Sequence, residues 1–126
     1  MAIKYYPSIE LKLKIKDIVE KLKMQHIDLS RVDCVISKGS KAKRTIARCH
    51  ALSKIWQKSL GTKGRYIIEV ISENYNSLPK DEKEKVLIHE LLHIPFSMGG
   101  GFKHHKNYVT RTRVEHLYKK YRSKNV

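Results

Sequence analysis

Two histidines four residues apart, with a glutamate beside the first, stand inside the run Val86-Leu87-Ile88-His89-Glu90-Leu91-Leu92-His93-Ile94-Pro95. On a helix that spacing brings the two imidazoles onto one face, about 5–6 Å apart at Cβ. At about 100° per residue, Leu87, Leu91 and Ile94 fall on one side and Ile88 and Leu92 on another, while His89 and His93 share a third. The spacing therefore predicts a helix whose last two turns are buried nearly all round. Ser77 and Pro79 open it, Asp81, Glu82 and Glu84 lie near its positive end, and Pro95 stops it.

From such a face both histidines reach one Zn2+ at about 2.0–2.1 Å. Glu90 lies about 100° further round, out of reach as a third helix ligand but placed to take a proton from a metal-bound water. With seven His and eight Glu in 126 residues, the chance expectation for H-E-x-x-H is roughly 0.02 matches. The plainer reading, two core histidines satisfied by hydrogen bonds, would bury three polar side chains in an apolar helix at considerable cost.

A catalytic zinc takes three protein ligands and leaves a position for water. The loop Gly99-Gly100-Gly101 can turn the chain back, and His104 and His105 follow it. Adjacent side chains diverge, so one of the pair is expected to bind. Glu115, on a downstream helix, is the competing donor, with orientation of a ligating histidine or surface pairing to Arg111 as its other roles. For the oxyanion, Tyr108 is the candidate, with Arg48 and His50 behind it.

Elsewhere, Ile9, Leu13, Ile15, Ile18, Val19 and Leu22 recur at helical spacing after a Ser8 cap. Val32 to Ser37 and Tyr66 to Ile71 read as strands, the second near the middle or the protected edge of a sheet. Ile46, Leu52, Ile55 and Trp56 suggest a second helix, and a last one starts near Thr110 with Val114, Leu117, Tyr118 and Tyr121 inward. The expected class is α+β, one domain over residues 1–126, with a third strand left unplaced.

The 40% apolar share fits a folded chain. No run approaches the roughly 20 apolar residues of a membrane span, and no signal-peptide pattern opens the chain, so a cytoplasmic location is expected. Cys34 and Cys49 read as reduced, buried thiols. A Cys34, Cys49 and His50 metal cluster is conceivable but lacks the spacing that marks such sites. The net charge of +15 would attract polyanions, or simply solvate the surface.

The segments Tyr66–Ile71, His89–Pro95 and Gly99-Gly100-Gly101-Phe102-Lys103-His104-His105-Lys106-Asn107-Tyr108-Val109 resemble a metallopeptidase family found in archaea and phages, a minimal zincin more distantly similar to SprT-like proteases. The resemblance covers about the C-terminal two thirds of the chain. It implies a zincin-like fold, a zinc cofactor and a peptide substrate. The family pattern has a histidine followed three residues later by tyrosine, which makes His105 the third ligand beside His89 and His93. It also implies that a strand beside the active-site helix, taken here as Tyr66–Ile71, binds substrate in extended form. The alternative is a nucleic-acid-associated protein, with a structural metal or with protease activity on DNA-bound proteins. A third reading is a peptidase scaffold serving as a toxin-like or adaptor protein, against which an intact Glu90 argues.

Overall fold

The two segments richest in β-branched residues form the centre of the sheet. In the computed structural model, which describes residues 2–103 and 108–124, Val32–Lys38 (β2) and Tyr66–Ile71 (β4) pair in parallel, from Val32 opposite Tyr66 to Ser37 opposite Ile71. Lys4–Pro7 (β1) adds antiparallel to β2, and Ala47–Ala51 (β3) antiparallel to β4, giving the order β1-β2-β4-β3. The described residues thus hold a four-stranded mixed sheet and five helices, an α+β fold.

β3 corrects the expected helix through Ile46 and Trp56. Ala-Arg-Cys-His-Ala alternates with period two: Ala47, Cys49 and Ala51 pack against the core, while Arg48 and His50 are exposed on the opposite face. Only Lys54–Leu60 is helical (α2), ending at Gly61 in the left-handed region. β4 has a partner on each side, so it cannot offer an open edge to substrate; among the described residues β3 has one side without a partner strand.

Ile68 stands between Cys34 and Cys49 in the register. The thiols are therefore two strands apart, about 9–10 Å by strand spacing, beyond disulfide reach, and both cysteines are free. His50 turns away from them to Glu69, so the conceivable Cys34, Cys49 and His50 cluster does not form.

Helix α1 (Ile9–Lys21) begins where the Ser8 side chain accepts a hydrogen bond from the Leu11 N–H, at 3.1 Å. It buries Leu11, Ile15, Ile18 and Val19. Ile9 and Leu13 are exposed, because their angular positions fall on the far side of that stripe. A four-residue helix, Ser72–Tyr75 (α3), follows β4 directly. Helices Lys80–Leu92 (α4) and Arg111–Ser123 (α5) pack on each other and share one core cluster with α1 and the inner sheet face. The Tyr121 hydroxyl donates to Asp17 at 2.5 Å, tying α5 to α1.

Glycine is required at Gly64, where an added Cβ would lie 2.0 Å from the Met98 carbonyl oxygen. Arg31 braces the same junction, donating to the Gly64 carbonyl at 2.7 Å and the Met98 carbonyl at 2.8 Å. No helix among the described residues is long and apolar enough to cross a membrane.

Candidate active site

Helix α4 ends at Leu92, and His93 caps it with helical dihedrals (φ −69°, ψ −20°), so the face predicted from the i,i+4 spacing persists to the last residue of the motif. The His89 and His93 rings lie 5.1 Å apart, centroid to centroid, at 73°. His93 is oriented by a two-way backbone bridge. The Lys103 N–H donates to the His93 carbonyl at 3.0 Å, and His93 Nδ1 lies 3.0 Å from the Lys103 carbonyl. A carbonyl only accepts, so Nδ1 carries a proton, which in the neutral ring leaves the lone pair on Nε2. That donor fits a divalent transition metal, and the carbonyl behind it is the usual orienting partner of a ligating histidine.

Beside His89 lies Glu90, 7% exposed, its Oε2 4.0 Å from His89 Nε2. Burial pushes the Glu90 carboxyl up to about 7. A carboxyl poised near neutrality can both take and return a proton. Cys49 faces it from β3, and its thiol is pushed up to about 12 by burial first and by the Glu90 charge second; it is no nucleophile at neutral pH.

The motif opens into a cleft of about 490 Å3 between α4 and β3, closed at one end by Phe102 and Lys103. Tyr66 anchors that end: its hydroxyl donates to the Gly101 carbonyl at 2.7 Å and accepts from the Gly100 N–H at 3.0 Å. Gly100 has φ +104°, and a Cβ there would meet the Leu52 carbonyl at 2.8 Å. The opposite wall is the outer edge of β3, unpaired among the described residues. Ile71 N–H bonds the Ile46 carbonyl and Leu52 N–H the Arg65 carbonyl. Antiparallel alternation then directs the N–H and C=O groups of Ala47, Cys49 and Ala51 outward.

A cleft holding two histidines and a buried glutamate invites comparison with known families. A family model described as putative phage metallopeptidase matches residues 3–121. The chain belongs to this family. Comparison with curated proteins and with solved structures returned no significant match. Membership in the phage metallopeptidases carries with it a metal ion and a protein or peptide substrate.

The sequence-derived site residues fare unequally. His89, Glu90 and His93 line one cleft. His104 and His105 lie outside the described residues. Tyr108 lines a separate hollow of about 190 Å3 with His26 and Phe96, where the Lys103 ammonium sits over both aromatic rings, 4.1 Å from Phe96 and 5.0 Å from Tyr108. Glu115 pairs with Lys85 at 3.1 Å and, among the described residues, does not join His89 and His93 in a metal-sized cluster.

Sequence reasoning missed the partner of His50. His50 Nε2 lies 2.7 Å from Oε1 of Glu69, a buried carboxylate on the neighbouring strand. Burial works to raise the Glu69 pKa, but hydrogen bonds from His50 and Ser37 hold it below the usual glutamate value. Strict alternation through residues 47–51 was the available signal, since it makes β3 a strand and sets His50 on the Glu69 face.

Proposed function

We propose that the protein is a zinc peptidase in which His89, His93 and His105 hold the metal and Glu90 is the general base. The observation that carries this reading is that His89, Glu90 and His93 share one cleft with an open strand edge, where an extended peptide can add to β3. Zinc at this site would supply a Lewis acid for the scissile carbonyl and a more acidic water. The Glu90 carboxylate accepts the proton of the attacking water and hands it to the leaving nitrogen. His93 keeps Nε2 toward the site through its Nδ1–H bond to Lys103. The outward groups of Ala47, Cys49 and Ala51 align the peptide backbone. The Tyr108 hydroxyl is the proposed donor to the oxyanion, a role that requires it to reach across from the hollow it lines with His26 and Phe96.

Elemental analysis tests the site before any substrate is known. Wild type is expected to hold one zinc per chain, lost in His89→Ala and His105→Ala and kept in His104→Ala, Glu115→Ala and Glu90→Gln. Glu90→Gln should lose hydrolysis by at least about a hundredfold while keeping its metal. A wild type that stays metal-free after incubation with zinc would overturn the reading.

A further inference from the structure

The cleft continues past Glu90. A second cavity of about 420 Å3 lies between the start of β3 and helices α4 and α5, sharing Ala47, His89 and Glu90 with the first. A peptide laid along β3 runs from one cavity into the other across Glu90, so side chains on one flank of the bond to be cut enter this second space.

Its charged groups are unequally satisfied. Glu115 and Glu82 converge on the Lys85 ammonium, at 3.1 and 3.4 Å. Among the described residues neither Arg44 nor Arg111, both on the cavity wall, has an ion-pair partner. Arg44 is carried on a braced loop: the Asn74 amide donates to the Ala42 carbonyl at 2.9 Å and the Thr45 carbonyl at 2.7 Å, on either side of it. Arg111 opens α5, whose first turn holds no acidic residue, and the positive helix end adds to its field. Glu82 and Glu115 sharing one ammonium leave a single negative charge over, and Glu90, at the end shared with the first cavity, adds at most one more, against two guanidiniums.

We infer that this cavity is a specificity subsite for the carboxylate of an Asp or Glu side chain of the substrate, on the Arg44 flank of the scissile bond. A guanidinium matches a carboxylate with two parallel N–H donors. Two of them facing a groove that already binds peptide backbone select that side chain over its neutral amide. The inference rests on the peptidase reading for the path of the peptide. Both arginines are exposed, so the preference is modest and weakens with salt.

Binding tests it independently of hydrolysis. Zinc-loaded Glu90→Gln protein is titrated with fluorescent, end-blocked heptapeptide libraries fixed as Glu, Gln or Lys at one position and randomised elsewhere. The expected result is about fivefold tighter binding of the Glu library than of the Gln library at one position at low salt. That preference should vanish in Arg44→Gln/Arg111→Gln and turn toward Lys in Arg111→Glu, all variants keeping wild-type melting and zinc content. Equal binding of Glu and Gln libraries, a preference for Lys, or a Glu preference that survives loss of both arginines overturns the proposal. Glu-selective binding without any cleavage by wild type would instead sink the peptidase reading and leave the subsite standing.

Discussion

At the scale of single residues, the site depends on groups some way from the metal face. Gly64 allows the Met98 carbonyl to approach and so fixes the loop that leads into the glycine turn. Gly64→Ala is expected to destabilise the protein by more than about 2 kcal/mol, read as a lowered urea midpoint. Glu69 carries a pH signature. Its folded pKa lies below the ordinary glutamate value of 4.5, so it contributes stability that is present above that value and lost as pH falls through the folded one. Glu69→Gln should therefore flatten the acid limb of a stability profile below about pH 4.5 relative to wild type, measured by thermal melts across pH. The histidine face was legible in the sequence because i,i+4 geometry is local and Glu90 sits inside the same turn. The His50 and Glu69 pair was not, since 19 residues separate them and only cross-strand register joins them.

At the scale of elements, β3 turns a helix with two histidines into a groove that can hold an extended chain. Its outward groups recur at Ala47, Cys49 and Ala51, so a bound peptide must present its own outward groups at every second residue. Methylating the backbone nitrogens that face β3 is expected to weaken binding to the Glu90→Gln protein about tenfold. Methylating the intervening nitrogens should change it little, in a direct comparison of the two peptide series. The same strand was the weakest reading from sequence. Ile46, Leu52, Ile55 and Trp56 fit a helical period, but five residues of small and polar alternation override it once β4 supplies a partner. The caps and strongest runs, Ser8, Tyr66–Ile71 and the end of α4, were readable because each is set by neighbours in the chain.

At the scale of the whole molecule, the sheet order could not be read in advance. Parallel pairing of β2 and β4 spans more than thirty residues, and β1 and β3 are short edge strands whose place depends on that centre. The net charge of +15 is drawn mainly from the loop before β3, α2 and α5, while α1 sets three carboxylates against its four lysines. Its expected role is mutual repulsion between copies, which salt screens over about 10 Å at 0.1 M. Light scattering of the substrate-free protein should report a rising apparent mass as ionic strength increases, and an inhibitory peptide in the groove should suppress the rise.

That expectation follows from the side of β3 that has no partner strand among the described residues. A row of backbone donors and acceptors left open for a substrate is also a template for another copy of the same strand. Small side chains at Ala47, Cys49 and Ala51 do nothing to block such an approach, and only Arg48 and the basic residues around the strand oppose it. An enzyme that binds its substrate along this edge, as proposed, would carry a standing risk of self-association, and the cationic surface is expected to act as its guard while the groove stands empty.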